Sequence, residues 1–381
     1  MVAVFCLFVL CVDRGIYLKA KLQNQTKAES NKDSPQDVFN AYVNVYNEQN
    51  DVTNKETEYD KESVPVSDDK PTQVDKTFTF TALGEIMMGG INTSYTLAFK
   101  DVAEIARNSD YTLTSLTTNV VDLEKIEEPK SKYIVTKNIL KAFTALGIDG
   151  VNVASDHMLD FGVNVFEGTK SILKEAKLDV IGLQDDVIYA EHNGIKVAFI
   201  GVTNEIIGSY SEFIDAGVWV YDSYMVKIKE AIKKAQDMAD TVVVITHLGS
   251  ENKHEETDVM TWFYHELVNA GADLVLGNHA LGVYPLEIYK GSPIIYSLGY
   301  FMHDTDYEIG KKAGIFKFTV NVDGKIQSLE FIPTYIAGDE VKLYAEYDYD
   351  SAVKLMKHVA GNGNKLYSTK LSKKSIIVTF K

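Results

Sequence analysis

Short apolar segments alternate with amphipathic segments through most of this chain, and that alternation predicts an α/β fold. The first such pair is a strand at 78–84 followed by a helix at 97–108. The segment KNILKAFTALG at 137–147 predicts another helix, with apolar residues on one face and a glycine at its end. Strand-like segments without intervening helices follow 293, which suggests a second, more antiparallel sheet.

The charge of the chain limits its partners. Among 381 residues, 54 are acidic and 38 are basic, so the net charge is −16. This net negative charge opposes long-range attraction to nucleic acid or to an anionic lipid surface. No run of lysine or arginine in the sequence forms a local basic patch. We expect no nucleic-acid partner.

The N-terminal part differs from the rest in composition. The run MVAVFCLFVLCV contains both cysteines and is shorter than the roughly 20 residues that span a bilayer. It is read as a signal segment or the remnant of a membrane anchor over 1–19, followed by a flexible polar linker over 20–76. These readings predict an extracytoplasmic protein attached to the cell membrane by its N-terminus. The main domain is expected over 77–335, with an extension packed on it over 336–381.

Polar side chains follow several of the predicted strands at the point where each strand ends. They are Glu85, Asp156, His157, His247 and His279. Because ligand sites in α/β sheets gather at the carboxyl ends of strands, we expect these residues to follow strands at the same edge of one sheet and to line one cleft. Carboxylate and imidazole groups together suit a divalent transition metal.

The order of six motifs resembles the bacterial capsule-biosynthesis CapA family. The motifs are GEIMMGG (84–90), SLT (115–117), ASDHMLDFG (154–162), HLGSE (247–251), GNHALGV (277–283) and YSLGYF (296–301). The resemblance implies a calcineurin-like metallophosphatase fold, a four-layer sandwich of two packed mixed sheets flanked by helices. It also implies metal ligands at Glu85, Asp156, His247 and His279, and a catalytic role for His157. Asn278, Glu251, Ser155 and Asp160 lie in the same motifs and are candidate binding residues.

The chain departs from the family pattern at positions that matter for metal binding. Thr117 stands where the family has a glutamate, and Leu281 stands where it has a histidine. Glu85 replaces an aspartate, whereas Asp156 replaces an asparagine and adds a carboxylate. We therefore expect at most one metal, manganese or zinc, bound weakly or not at all. A remodelled metal site and a fold kept for binding alone both remain open, and the second is preferred.

Three functions are compatible with these features. The resemblance implies an accessory protein of extracellular anionic-polymer synthesis or export, namely of the poly-γ-glutamate capsule, with the polymer or its membrane synthesis complex as partner. A second possibility is a metal-dependent hydrolase of phosphoester or amide bonds, with His157 as proton donor. The third is a surface protein that binds an unrelated ligand.

Overall fold

Two β-sheets pack face to face in this chain, and helices cover their outer faces. The structure is a computed structural model that describes residues 76–89, 94–122, 131–205, 207, 210–249, 257–361 and 365–381. All of these residues belong to the compact unit Pro65–Lys381. The predicted anchor at 1–19 and the linker up to residue 75 lie outside the described residues.

The described strands, in chain order, are β1 (Phe78–Ile86), β2 (Tyr111–Leu116), β3 (Asn119–Val121), β4 (Ile134–Thr136), β5 (Gly150–Asn152), β6 (Asp179–Ile181), β7 (Ile188–His192), β8 (Ile195–Thr203), β9 (Thr241–His247), β10 (Leu274–Asn278), β11 (Leu286–Tyr289), β12 (Ser292–Ile295), β13 (Tyr300–Met302), β14 (Lys312–Val320), β15 (Ile326–Ala337), β16 (Glu340–Leu343), β17 (Tyr367–Leu371) and β18 (Ile376–Phe380). The described helices are α1 (Ala103–Ala106), α2 (Ile139–Leu146), α3 (Val163–Glu175), α4 (Tyr210–Asp215), α5 (Tyr221–Gln236), α6 (Asp258–Ala270), α7 (Tyr344–Tyr347) and α8 (Tyr349–Ala360), with a short 3-10 turn at Leu97–Phe99.

The larger sheet has ten strands and is mixed. Its order is β17-β18-β15-β14-β1-β2-β5-β6, with β13 beside β1 and β16 beside β15. The smaller sheet has six strands in the order β11-β12-β10-β9-β8-β7. The β8, β9, β10 and β12 strands run parallel, and antiparallel hairpins add β7 and β11 at the two edges. Strands β3 and β4 form a separate parallel pair.

The late strands do not form a second sheet of their own, so that expectation was wrong. Strand β14 pairs antiparallel with β1 from Phe78 to Leu83, and β15 pairs with β14. The first and last strands of the domain therefore share one sheet, because β1 pairs with β2 along one edge and with β14 along the other. Residues 336–381, expected to pack on the domain as an extension, contribute β16, β17 and β18 to this same sheet.

Three apolar cores separate four layers, which confirms the predicted architecture. The core between the sheets includes Phe80 of β1 and Phe199 of β8, whose ring centroids are 5.6 Å apart. A second core joins the outer face of the larger sheet to α2 and α3. A third joins the smaller sheet to α5 and α6. The order of layers is thus helix, sheet, sheet, helix.

Helix α2 shows how closely local sequence determines an element. Ile139, Phe143 and Leu146 are buried on one face, as their helical spacing predicts. The helix ends at Gly147, whose φ of 68° lies in the left-handed region that favours glycine. In the described part of the chain, no helix has the length and apolar character needed to cross a bilayer.

Candidate metal centre

The structure brings together the five residues expected to share a cleft. Glu85 is the second-last residue of β1, His247 is the last residue of β9, and His279 directly follows β10. Asp156 and His157 lie in the loop after β5. We expected these residues at the edge of a single sheet, and that expectation was wrong. The cleft lies where the carboxyl ends of strands from both sheets meet, so each sheet contributes side chains to it.

Three of these residues form a compact, buried set of potential metal ligands. Ligand atoms of Asp156, His247 and His279 all lie within 4.8 Å of one another. Oδ1 of Asp156 is 3.0 Å from Nε2 of His247, and Oδ2 is 3.8 Å from Nδ1 of His279. One carboxylate and two imidazoles at this spacing fit zinc or manganese and leave further coordination positions open.

His279 adopts an uncommon backbone conformation. Its φ is 86°, a value that residues with a Cβ rarely adopt and that costs about 1–3 kcal/mol. The hydroxyl of Tyr300 donates a hydrogen bond to the carbonyl oxygen of His279 at 3.3 Å. The turn after β10 is thereby held in a shape that directs the imidazole of His279 toward Asp156.

Glu85 contacts the three-residue set through His247 but is not a member of it. Its Oε2 is 3.5 Å from Nδ1 of His247, the ring nitrogen opposite the one that faces Asp156. Pairing of β1 with β2 shifts register between Ala82 and Glu85, which changes the direction of the glutamate side chain. This placement suits a carboxylate that orients a ligating histidine. The role of Glu85 as a direct ligand stays a prediction.

The charges of the centre depend on one another. Burial by itself raises the pKa of Asp156, but the neighbouring charges of His157, His247 and His279 and a hydrogen bond from His247 hold it well below its usual range. Burial by itself lowers the pKa of His247, but Asp156 and then Glu85 raise it to about 9. Without a metal, Asp156 and His247 therefore form a buried ion pair at neutral pH.

His157 is held by a carboxylate and an aromatic ring. Its Nδ1 is 2.7 Å from Oδ2 of Asp160, and its Nε2 is 3.5 Å from Oδ2 of Asp156. The imidazole stacks on Tyr133 with ring centroids 3.6 Å apart. Burial raises the pKa of Asp160, and the contact with His157 opposes that rise. Asp160 thus contacts His157 directly, which fixes the ring beside the ligand set.

The other predicted binding residues have different positions. The hydroxyl of Ser155 donates to the carbonyl oxygen of Leu116 at 3.0 Å, which ties the loop after β5 to the end of β2. Nδ2 of Asn278 donates to the carbonyl oxygen of Thr246 at 3.3 Å. Glu251 lies outside the described residues. The roles assigned to these residues remain predictions.

Several buried polar atoms around the ligand set make no hydrogen bond to a described residue. They include Oγ1 of Thr117, Oδ1 of Asn204 and Oδ1 of Asn278. A buried polar group without a partner costs about 1–3 kcal/mol, and such groups commonly contact an ion or ordered water. The donor set is therefore chemically suited to a hydrated divalent cation.

Sequence reasoning missed two contributors to the cleft. His303 directly follows β13, which pairs with β1 through Glu85 and Tyr300. The strand-end rule would have identified it, but the motif YSLGYF stops two residues earlier. Tyr133 precedes the short strand β4, and no pattern in the sequence indicates that its ring would stack on a distant histidine.

Comparison with known proteins is consistent with the motifs. A family model described as bacterial capsule synthesis protein PGA_cap matches residues 31–305. The capsule biosynthesis protein CapA of Bacillus anthracis is 28% identical over 271 residues, which cover 65% of this chain. The PGA biosynthesis protein CapA of Bacillus subtilis strain 168 is 27% identical over 270 residues, which cover 66% of this chain and 70% of that protein. This chain spans 64% of the length of the B. anthracis relative.

Among solved structures, the NAD nucleotidase of Haemophilus influenzae aligns with 68% of this chain and 50% of its own. The TM-score is 0.42 and the identity is 12%, so no functional assignment rests on this similarity. The match to the family model does identify the family, because it extends over more than half of the chain and includes the cleft residues from Glu85 to His303. This chain belongs to the bacterial capsule synthesis protein family PGA_cap.

Proposed function

We propose that this protein is an accessory component of poly-γ-glutamate capsule synthesis or export and acts on the outer side of the cell membrane. Family membership carries the proposal, since the match extends over residues 31–305. Two Bacillus relatives are named for capsule and PGA biosynthesis, and we take PGA to be poly-γ-glutamate. The expected partner is the polymer or its membrane synthesis complex.

Membrane attachment is part of the same proposal. The apolar run at 1–12 and the polar stretch that follows it support an anchor and a tether. With a net charge of −16, the chain has no long-range attraction for an anionic polymer. Contact with the polymer must therefore come from local cationic groups or from a bound cation.

Asp156, His247 and His279 would hold one divalent ion. When bound, such an ion polarises a carbonyl or phosphoryl oxygen and lowers the pKa of water. Thr117 and Leu281 offer a buried hydroxyl and a buried aliphatic group where a second ion would need anionic or imidazole ligands. Two cations about 3.5 to 4 Å apart repel each other strongly without such ligands. One ion per chain is therefore the upper limit that we propose.

A hydrolase is the second candidate, and the contact between His157 and Asp160 favours it. An imidazole held by a carboxylate at 2.7 Å can give a proton to a leaving group. Nε2 of His157 faces Asp156, so the proton would be delivered next to the ligand set. Cleavage of an amide bond within the polymer would use the same arrangement as cleavage of a phosphoester.

Deletion of the gene in its own bacterium tests the accessory role. Cell-bound poly-γ-glutamate should disappear, and the full chain should restore it. A variant with Asp156→Ala and His247→Ala should restore less polymer if the metal centre is used. His265→Ala is a matched control, because His265 contacts Glu287 outside the cleft. Unchanged polymer after deletion would contradict the proposal.

The purified chain separates the two candidates. With manganese added, cleavage of a generic phosphodiester or of a γ-glutamyl amide that disappears in His157→Ala would support the hydrolase. Retained polymer production in a His157→Ala strain would show that the accessory role does not depend on that chemistry.

A further inference from the structure

The segment over residues 354–381 carries a charge opposite to that of the whole chain. It contains seven of the 38 basic residues and no aspartate or glutamate, whereas the net charge of the chain is −16. All seven of its lysines are exposed. They are Lys354, Lys357, Lys365, Lys370, Lys373, Lys374 and Lys381. No long run of lysine connects them, so the fold determines which of them lie along one surface.

Strand β17 places three of these lysines along one edge of the larger sheet. It is the first strand in the order of that sheet, and among the described strands it pairs only with β18. Lys365 precedes β17, Lys370 lies within it, and Lys373 follows it. The five residues of β17 extend about 17 Å, at about 3.4 Å per residue. We call this narrow surface, residues 365–375, the β17 edge.

Hydrogen bonds fix both ends of the β17 edge. At one end, the hydroxyl oxygen of Ser372 accepts from the amide of Ser375 at 2.9 Å, and the hydroxyl of Ser375 donates to Glu330 at 2.7 Å. At the other end, the hydroxyl of Tyr367 donates to the carbonyl oxygen of Ala360 at 2.6 Å. An ordered hairpin therefore carries the lysines, so little backbone entropy is lost when a ligand binds.

Most of the positive charge on the β17 edge has no acidic partner. Lys374 forms an ion pair with Glu346 at 2.6 Å. Lys365, Lys370 and Lys373 form no ion pair with any residue that the structure describes. A row of exposed ammonium groups attracts a polyanion at short range, although the net charge of the chain opposes its approach from a distance. The β17 edge thus supplies the local cationic groups that contact with an anionic polymer requires.

The β17 edge also offers backbone hydrogen-bonding groups. In an antiparallel pair, about half of the N–H and C=O groups of an edge strand point away from its partner strand. The residues from Ser368 to Leu371 are exposed, so these groups are open to an extended ligand. Poly-γ-glutamate has a carboxylate and an amide in every unit, and both match this edge. A phosphatidylglycerol surface has the negative charge without the amides.

We propose that the β17 edge is a docking surface for an extended segment of poly-γ-glutamate. Lys365, Lys370 and Lys373 contact α-carboxylates along the polymer, and the open edge of β17 pairs with its amides. This rests on the proposed function, which supplies the ligand. Binding at the β17 edge needs no metal ion, so it is independent of the metal centre.

Binding of a γ-linked glutamate decamer to the purified full chain tests the docking surface. Fluorescence anisotropy of the labelled decamer would be measured in EDTA, which removes metal ions, over a series of salt concentrations. A triple variant with Lys365→Gln, Lys370→Gln and Lys373→Gln should bind about tenfold more weakly at low salt, because three exposed ion pairs are lost. The slope of log affinity against log salt should become shallower by about 2, at about 0.7 per contact as for single-stranded nucleic acid.

A matched control removes the same charge elsewhere on the surface. Lys141→Gln, Lys174→Gln and Lys233→Gln together change three exposed lysines of α2, α3 and α5. This second triple variant should bind the decamer as tightly as the wild type and keep its salt slope. Because all six substituted lysines are exposed, thermal melts of the three proteins should agree closely.

The outcomes separate the docking surface from the proposed function. Equal decamer binding by the wild type and the β17-edge variant, or equal weakening in both triple variants, would refute the docking surface. So would a wild-type chain that binds no decamer, including one that instead binds vesicles of phosphatidylglycerol and phosphatidylcholine through the same lysines. If deletion of the gene leaves cell-bound polymer unchanged while the decamer still binds at the β17 edge, the docking surface stands and the accessory role fails.

Discussion

Zinc affinity should rise steeply with pH, because the metal must displace a proton from His247. The pKa of His247 is raised to about 9, since Asp156 and Glu85 stabilise its charged form more than burial opposes it. A ligating imidazole must be neutral. Below about pH 9, each unit of pH therefore lowers the apparent affinity about tenfold. At pH 7 the expected loss is about 100-fold, or about 2.7 kcal/mol, relative to the plateau.

Competition with a chelator of known pH dependence measures this effect. Zinc affinity of the full chain would be determined at pH 6.5, 7, 8 and 9. Calorimetry in buffers with different ionisation enthalpies would count the protons released on binding, and about one is expected at pH 7. Glu85→Gln should make the affinity reach its plateau at a lower pH, because it removes one of the charges that raise the pKa of His247.

A zinc affinity that is constant between pH 6.5 and 9, with no proton released at pH 7, would refute this reasoning. It would mean that His247 is already neutral in the metal-free protein, or that the ion binds elsewhere. Asp156→Ala distinguishes these cases, since it should weaken zinc binding only if the ion lies at this centre.

Three further predictions follow from the same structure. In the metal-free chain, the raised pKa of His247 stabilises the folded state, and this contribution is fully present below pH 6.5. About 3 kcal/mol of unfolding free energy should be lost as the pH rises to about 9. Denaturant titrations should show this loss in the wild-type chain and not in His247→Gln. Thr117→Glu combined with Leu281→His should move zinc binding toward two ions per chain by calorimetry, and either change alone should do less. Gly84→Ala should lower the unfolding free energy by about 3 kcal/mol, because its Cβ would lie 2.1 Å from a backbone oxygen. Gly282→Ala, whose Cβ would meet the side chain of Ile309 rather than backbone, should cost less in the same denaturant titrations.

The sequence predicted the fold and the convergence of the cleft because both depend on periodic signals. Helix α2 and strand β9 have strong apolar patterns, and the residue at the end of each apolar strand can be read directly. Asp156, His247 and His279 were found in this way. Pairing between distant strands has no such local signal, so the joining of β14 to β1 and the addition of β17 and β18 were not foreseen.

The finer geometry of the centre could not be predicted from the sequence, because it also depends on contacts between distant residues. The register shift in β1 turns Glu85 toward His247, and a bulge of this kind depends on the pairing partner rather than on the local residues. The stack of Tyr133 on His157 joins residues that are 24 positions apart in the sequence, so no local pattern predicts it. His303 was not chosen as a site residue although it follows a strand, because the family motif ends two residues before it.

The most direct test of the central claim is the number of metal ions held by the purified full chain. Elemental analysis after loading with zinc and removal of excess metal should give one ion per chain for the wild-type protein. Asp156→Ala should give far less, while His265→Ala should match the wild type. Two tightly held ions in the wild-type chain, or an undiminished single ion in Asp156→Ala, would contradict a one-metal centre formed by Asp156, His247 and His279.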